Sequence, residues 1–581
     1  MQKNKTTPTL DYHRGLRNRM LVLSFFFLLY GAGLSARLFY LQILQHDTLT
    51  AQSDKQYLSS MKIYYGRGEI LDRNLNSLAT NVEVESVYVN PGEVENRRRT
   101  AQLLASHLDL DLKKVLQKVS SGKNFAWIKR KCAPKEIEKL KELDLPGVGF
   151  MEEHKRFYPK RELAAHAIGF VGLDNQGLAG VEGFHHSTLK GTTSLILMEK
   201  DARGRQIRVG DNNTLKKPKT YDVALTIDEV IQFITEHHLK EQVKKHNAKG
   251  GMAIVMNPHT GEIYSMVNVP LYNPNNYSMY SPGHWTNSII SGAFEPGSIF
   301  KPILAASAID AGKTKPNDVF FCENGAYKIG KVTIGEATNH KFGWLTLSDI
   351  ITKSSNIGSI KVGQELGASE YYSYMKKFGF GEKLGIDLPG ESKGKLRDLR
   401  QWSAISLASL SFGHEIGVTP LQMVTAISAI ANGGNLMRPH ITKAILQNGK
   451  VARQINPEII NRVISENTSR LMTDILKNVV KEGTGTRAAI PGFDVAGKTG
   501  TAQKMDIRTQ TYSKSAYLSS FIGFVPADSP KLAILVMIDE PQNGYYGGEV
   551  AAPVFQQVAK ETLRYLNVPS SDERVFILDR A

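Results

Sequence analysis

The sequence predicts an α+β protein held by one N-terminal membrane helix. Three observations lead to this prediction: an almost entirely apolar run at residues 20–36, mostly helical apolar spacing between about residues 300 and 480, and strand-like alternation on both sides of that helical region. Helices inserted within an antiparallel sheet make an α+β or mixed α/β domain. A length of 581 residues allows about two to four domains of roughly 150 residues each.

The apolar run predicts a membrane anchor over residues 20–43. Seventeen helical residues span roughly 25 Å, near the minimum for a bilayer core, and Arg37 can snorkel to extend the span. The preceding 19 residues carry five Lys or Arg and one Asp, so the positive-inside rule places the tail 1–19 in the cytoplasm. A cleaved signal peptide is the alternative, but the long run and the lack of a clear A-x-A site favour an uncleaved anchor.

The composition excludes several other classes of protein. With 41% hydrophobic and 22% charged residues, the chain is neither a disordered tail nor a multi-span transporter. Two cysteines are too few for a disulfide framework or a cysteine-rich metal site. The net charge of +16 comes from scattered residues, which favours a solvated basic surface over a nucleic-acid groove.

Beyond the anchor the chain divides in two. Residues 44–217 mix short strand-like runs with charged helical patterns such as residues 134–143, and the polar stretch 211–220 indicates a linker. Residues 218–567 are expected to form the second domain, and 568–581 a C-terminal tail. In the second domain we expect strands at residues 222–227, 252–256, 262–267, 493–502, 516–525 and 531–538, and helices at 228–246, 421–431 and 554–566.

Three short motifs carry reactive side chains. In E-P-G-S-I-F-K-P at residues 295–302, Pro-Gly marks a turn and Pro302 requires a helix start, so Ser298 and Lys301 share one face of the first turn. A buried lysine of depressed pKa can take the proton of a serine hydroxyl. S-S-N at 354–356 adds a second hydroxyl and an amide, and K-T-G-T at 498–501 opens a strand suited to a carboxylate. Each motif alone is weak, but S-x-x-K, S-x-N and K-T-G in this order are typical of β-lactamases and penicillin-binding proteins.

A nucleotide-binding loop is the competing interpretation of one segment. Residues 492–499, G-F-D-V-A-G-K-T, fit the P-loop pattern, and the apolar run 532–540 resembles its accompanying strand. A P-loop needs a strand before its first glycine and a helix directly after its threonine. Because Pro491 precedes this segment and a strand-like run follows it, a P-loop ATPase is disfavoured.

The chain resembles a class B penicillin-binding protein from the anchor to about residue 566. The N-terminal half contains R-G-E-I-L-D-R-N at 67–74, R-F-Y-P at 156–159, H-A-I-G at 166–169 and G-L-A-G-V-E at 177–182, which are similar to the pedestal motifs of that family. Residues 402–422 resemble the FtsI-like septal branch. Two positions depart from the family pattern: Ile299 stands where Thr is usual, and His414 where Tyr is common. The resemblance implies a pedestal domain followed by a transpeptidase domain that combines an antiparallel sheet with a helical subdomain.

The resemblance also implies an acyl-transfer mechanism. Ser298 would attack the penultimate D-Ala carbonyl of a peptidoglycan stem peptide, Lys301 would act as general base, Ser354 would pass the proton to the leaving amine, and Lys498 would assist electrostatically. Thr501 and Ser298 would supply the backbone N–H groups of the oxyanion hole.

The same resemblance implies the binding residues and the partners. Asn356 would hold a substrate amide, and Thr499, Gly500 and Thr501 would bind the terminal carboxylate. The expected partners are stem peptides ending in D-Ala-D-Ala, β-lactams, the inner membrane, a SEDS-family glycosyltransferase and divisome proteins, with no metal, cofactor or nucleic acid. Septal cross-linking is the expected role. An elongation- or sporulation-specific transpeptidase, a D,D-carboxypeptidase, a β-lactamase and a β-lactam sensor are the alternatives.

Overall fold

The computed structural model describes most of the chain, namely residues 10–64, 66–190, 193–200, 206–207, 220–337, 340–506 and 511–570. The chain forms two compact units, one made of residues 1–65 with 192–218 and the other of residues 66–191 with 219–581. Residues 1–9 of the expected N-terminal tail, residues 211–219 of the expected linker and residues 571–581 of the expected C-terminal tail lie outside the described residues.

The described residues form the following helices and strands. Up to residue 207 the elements are α1 (Leu10–Phe39), α2 (His46–Tyr57), β1 (Leu58–Tyr64), β2 (Ile70–Leu71), β3 (Ser77–Val89), α3 (Arg97–Leu108), α4 (Leu112–Val119), β4 (Ala126–Lys129), α5 (Pro134–Glu142), β5 (Val148–Phe157), α6 (Ala165–Ile168), α7 (Gly180–Phe184), α8 (His186–Leu189), β6 (Thr193–Lys200) and β7 (Gln206–Ile207). From residue 222 they are β8 (Asp222–Leu225), α9 (Glu229–Lys245), β9 (Gly250–Met256), β10 (Ile263–Val269), α10 (Pro282–Trp285), α11 (Ser288–Ser291), α12 (Lys301–Asp310), β11 (Val319–Phe321), β12 (Ala326–Ile329), β13 (Val332–Gly335), β14 (Trp344–Thr346), α13 (Leu347–Lys353), α14 (Asn356–Leu366), α15 (Ala368–Lys377), α16 (Ser406–Ser411), α17 (Pro420–Ala431), β15 (Asn435–Met437), β16 (Thr442–Gln447), β17 (Lys450–Gln454), β18 (Ile459–Arg462), α18 (Glu466–Lys481), β19 (Ala496–Asp506), β20 (Thr511–Val525), β21 (Leu532–Asp539), α19 (Gly547–Val550) and α20 (Ala552–Tyr565).

The first unit contains the expected membrane helix. Helix α1 continues into a π-helical turn, Tyr40–Leu44, and strands β1, β6 and β7 form a small antiparallel sheet. Within the described residues, the stretch 15–44 is the one helix that is long and apolar enough to cross a bilayer, and its most apolar window is entirely unburied. An exposed apolar surface of this length fits a hydrocarbon environment.

The second unit begins with a mixed sheet. Its strand order is β17-β16-β8-β2-β3-β4, with β5 also paired to β3, and only the β2–β8 pair is parallel. Helices α3, α4 and α5 cover one face with buried side chains such as Leu104 and Ile137. Strands β8, β16 and β17 come from beyond residue 218, so this sheet joins strands from both sides of the domain boundary that the sequence predicts. The boundaries 44–217 and 218–567 stay a prediction.

Three of the pedestal motifs meet at one buried carboxylate. Glu182 accepts from Arg67, whose Nη2 lies 2.7 Å from Oε2, and from Arg156, whose Nε lies 2.5 Å from Oε1. The Tyr158 hydroxyl donates to the same Oε1 at 3.3 Å. All four side chains are almost fully buried, so each charge depends on its partner in this cluster.

The second unit also contains a five-stranded antiparallel sheet, ordered β10-β9-β21-β20-β19. Alternate residues face opposite sides: Val255 packs with α9 and α20, whereas Ile254 packs with α12, α14 and α17. This arrangement confirms the predicted α+β fold. Strand β19 begins at Ala496 rather than at residue 493, because Gly492 occupies a turn in which the Phe493 N–H bonds to the Ile490 carbonyl.

Candidate active site

The first motif lies where the sequence predicts a helix start. A short 3₁₀ turn, Gly297–Phe300, carries Ser298 and leads into α12, and Pro302 lies in the first turn of α12. Gly297 has φ +54°, and its N–H donates to the Gly413 carbonyl at 3.0 Å. This nucleophile turn, residues 297–300, packs against the edge strand β19 and leaves Ser298 partly exposed while Lys301 is fully buried.

The second motif lies between two helices. Helix α13 ends at Lys353, and Ser354 adopts the left-handed conformation (φ 62°, ψ 38°) that non-glycine residues seldom take. Ser355 then caps α14, because its hydroxyl accepts the Gly358 N–H at 2.9 Å. The cap and the left-handed residue together direct the Ser354 hydroxyl and carbonyl towards Lys301.

The hydrogen bonds of Lys301 leave it equipped to act as a base. Its Nζ donates to the Ser354 carbonyl at 2.6 Å and to Asn356 Oδ1 at 2.8 Å. Burial lowers the pKa of Lys301 to about 7. A neutral lysine has two N–H groups and one lone pair, and these two short bonds use both N–H groups. The lone pair is therefore available for a proton from Ser298, which shares the same helical face.

Lys498 approaches the Ser354 hydroxyl from the sheet. Its Nζ lies 2.9 Å from Ser354 Oγ, while Lys301 Nζ lies 3.4 Å from the same oxygen. Burial, together with the charge of Lys301, lowers the pKa of Lys498 well below its usual value. The Ser354 hydroxyl thus bridges two buried amines, an arrangement that can carry a proton away from Lys301.

Strand β19 presents three further predicted residues. Thr501 Oγ1 accepts the Gly547 N–H at 3.0 Å, which leaves its own proton available to a ligand. Thr499 is buried, with Oγ1 2.7 Å from Thr484 Oγ1. At Gly500 a Cβ would lie 2.4 Å from Ser520 Oγ, so glycine is needed for close packing within the protein.

Glu336 supports the second motif and was missed by sequence reasoning. Its carboxylate accepts from the Ser355 hydroxyl at 2.5 Å and from the Asn356 N–H at 2.6 Å. Its charge raises the pKa of Lys301, although burial outweighs it. The sequence shows only an acid that follows a short strand-like run, a signal too common to identify a functional residue.

The P-loop interpretation finds no support in this geometry. The segment that fits the P-loop pattern enters β19, which continues through residue 506 with no helix after Thr499. Across the described ranges, no group of three or more His, Cys, Asp or Glu side chains is arranged to hold a metal ion.

Comparison with known proteins gives a consistent match over most of the chain. Residues 251–560 match the penicillin binding protein transpeptidase domain, and residues 62–223 match the penicillin-binding protein dimerisation domain. Stage V sporulation protein D of Bacillus subtilis is 34% identical over 560 residues, covering 95% of this chain and 86% of that protein. Peptidoglycan D,D-transpeptidase FtsI of Escherichia coli is 31% identical over 564 residues, covering 94% and 93%. The crystal structure of penicillin-binding protein 3 from Mycobacterium tuberculosis in complex with ampicillin has a TM-score of 0.69 and 28% identity, covering 88% of this chain and 97% of that one.

Proposed function

The chain belongs to the penicillin-binding protein transpeptidases, and from this membership and the site geometry we propose that it cross-links peptidoglycan stem peptides through an acyl-enzyme on Ser298. The observation that carries the proposal is the position of the Ser354 hydroxyl between two buried amines, beside the turn that bears Ser298. Such a site can remove a proton from a serine and return it to a leaving amine.

The acylation step follows from the hydrogen bonds. The lone pair of Lys301 takes the Ser298 proton while Oγ attacks the penultimate D-Ala carbonyl. The backbone N–H groups of Ser298 and Thr501 hold the oxyanion, each worth roughly 3 kcal/mol. The C–N bond then breaks, and the departing D-Ala nitrogen receives its proton through Ser354, with Lys498 stabilising the relay.

The remaining residues bind the donor peptide. The Thr501 hydroxyl donates a hydrogen bond to the terminal carboxylate, and Thr499 and Gly500 shape the strand edge beside it. Asn356 binds a peptide amide. An amine from a second stem peptide resolves the acyl-enzyme and forms the cross-link. A β-lactam acylates Ser298 in the same way and remains attached.

The membrane arrangement and the cellular role are part of the same proposal. The five basic residues before the apolar run at 20–36 keep the N-terminus in the cytoplasm and direct the catalytic part outward. We assign the protein to septal wall synthesis alongside a SEDS-family glycosyltransferase and divisome proteins. The match to a stage V sporulation protein favours a sporulation-specific role as the second candidate. Localisation of a tagged chain to division sites or to the developing spore separates the two.

A covalent label tests the proposed nucleophile. The purified full chain in detergent is incubated with penicillin and analysed by intact mass and peptide mapping. We expect one adduct, on the peptide that contains Ser298, and none in Ser298→Ala. An unmodified wild type, or an adduct that persists in Ser298→Ala, would reject the proposal.

A further inference from the structure

Three polar side chains form a cluster beside the nucleophile turn and have no role in the acylation chemistry. Glu295 precedes Ser298 by three residues, and His414 follows Gly413, whose carbonyl binds the Gly297 N–H. Tyr512 reaches the cluster from β20. His414 Nδ1 lies 3.3 Å from Glu295 Oε2 and 2.9 Å from the Tyr512 hydroxyl, which itself lies 2.9 Å from Glu295 Oε2.

These contacts determine which nitrogen of His414 carries the proton. Burial and the adjacent Glu295 carboxylate raise the pKa of Tyr512, so its hydroxyl stays protonated. Burial acts to raise the pKa of Glu295, but hydrogen bonds from His414, Tyr512 and the Glu415 N–H hold it below its usual value, so Glu295 is ionised. The tyrosine proton therefore points to the carboxylate, and Nδ1 must donate. In the neutral ring Nε2 is then the unprotonated acceptor.

The cluster is partly exposed to solvent. The side chains of His414 and Glu295 are 23% and 22% exposed, and Nε2 forms no hydrogen bond to any residue within the described ranges. The other groups around the ring are Phe412, with ring centres 5.0 Å apart, and Glu415, whose carboxylate pairs with Arg397. The Tyr512 hydroxyl and the Glu295 carboxylate together fix Nδ1–H, which leaves Nε2 as the basic nitrogen, the arrangement of a histidine base.

We infer that Glu295 and His414 bind the protonated amine of the acceptor stem peptide and deprotonate it for attack on the acyl-enzyme. This inference rests on the proposed transpeptidase function. An alkyl ammonium is not a nucleophile, and the other reactive groups of the site, Lys301 and Lys498, are amines that do not attract it. Glu295 supplies the missing negative charge next to Ser298, and His414 supplies the base.

The proton balance of the step is complete. The acceptor arrives as R–NH3⁺, and one proton moves to His414 Nε2, which leaves R–NH2. The nitrogen attacks the acyl carbon, so a C–N bond forms and the ester bond to Ser298 Oγ breaks. The second nitrogen proton passes through Ser354 and Lys301 to Oγ, and the imidazolium of His414 releases its proton to solvent. Tyr512 is a positioning residue for the histidine, whereas Glu295 both holds the histidine and supplies the negative charge that attracts the ammonium group.

Separate measurement of acylation and aminolysis tests this assignment. The full chain in detergent is given a thioester analogue of the donor peptide, with Nα-acetyl-lysine or D-alanine as the acceptor. At pH ~7.5 only about one in a thousand ε-amines is neutral. We expect His414→Gln to lower the rate of aminolysis at least tenfold, while acylation by penicillin changes less than twofold. At pH ~10, where roughly three in ten ε-amines are already neutral without a base, the variant should recover to within about threefold of wild type.

The controls separate this inference from the proposed function. Glu295→Gln should behave like His414→Gln, whereas His238→Gln, which alters a histidine–carboxylate pair between α9 and α20, should leave both rates unchanged. A wild type that is not acylated rejects the proposed function itself. A wild type that is acylated but transfers to neither amine rejects cross-linking and with it the acceptor site, whereas a His414→Gln deficit that persists unchanged at pH ~10 overturns the acceptor site alone.

Discussion

Replacing Glu336 by glutamine should move the acidic limb of the pH–rate profile for Ser298 acylation to lower pH. In the wild type the pKa of Lys301 is about 7, so its base form declines about tenfold for each pH unit below that value. The Glu336 charge favours the protonated form of Lys301 and raises its pKa. Without that charge, Lys301 stays neutral to a lower pH, and acylation persists there.

The size of the shift follows from the contacts through Asn356. Lys301 Nζ lies 2.8 Å from Asn356 Oδ1, and Glu336 Oε2 lies 2.6 Å from the Asn356 N–H nitrogen. The two charges are thus within ~9 Å, where an effective dielectric constant of ~20 gives ~2 kcal/mol, slightly more than one pKa unit. Glutamine also leaves one hydrogen-bond donor, Ser355 or Asn356, without a carboxylate oxygen to accept from it. The acylation rate at high pH, where Lys301 is neutral, should therefore fall about tenfold.

The second-order rate of acylation by a fluorescent penicillin, measured from about pH 5 to 9, provides the test. We expect a midpoint near pH 7 in the wild type and near pH ~6 in Glu336→Gln. Glu323→Gln is the matched control, because that carboxylate pairs with Lys361 outside the site. An unchanged midpoint, or one that moves upward, would refute the assigned coupling between Glu336 and Lys301.

Three other substitutions test separate features. Gly500→Ala places a Cβ 2.4 Å from Ser520 Oγ, so we expect roughly a tenfold or greater loss in the penicillin acylation rate, and an unchanged rate would contradict the packing argument. Glu182→Gln leaves Arg67 with a buried, uncompensated charge, so denaturant titration should show about 3 kcal/mol less stability, and a loss under 1 kcal/mol would count against the buried network. Burial raises the pKa of Glu236 to about 7 from 4.5, so the folded state binds more protons than the unfolded state between these values and wild-type stability falls as pH rises through this window. Glu236→Gln lacks this proton uptake, so its stability relative to wild type should rise by ~2.5 kcal/mol from pH ~5 to ~8 and appear as a growing difference in Tm, and a constant difference would be inconsistent with that pKa.

Local signals predicted the elements that carry the reactive side chains. Pro-Gly before Ser298 and Pro302 after Lys301 indicate a helix start, and the structure has that start at the same place. Alternation predicts the central strands, which are antiparallel as expected. The exception is residues 493–495, where the turn at Gly492 delays the start of β19.

The supporting contacts depend on tertiary structure and carry no local signal. Tyr512 and Glu295 are 217 residues apart, and their meeting requires both the fold of β20 and the position of the nucleophile turn. Glu336 acts through the N-terminus of α14, which only the packed hairpin β12–β13 brings within reach. Likewise, β8 and β16 belong to the mixed sheet that also contains β2 and β3, although they lie far along the chain from those strands. No short sequence pattern encodes such long-range pairing.

Transfer to an amine, rather than to water, is the central claim about this protein. The most direct measurement follows the full chain in detergent acting on a pentapeptide donor ending in D-Ala-D-Ala and an amine acceptor, with D-Ala and cross-linked product quantified in the same sample. We predict one D-Ala released for each cross-link formed, and neither product in Ser298→Ala. Release of D-Ala without cross-links would identify a carboxypeptidase and contradict the account.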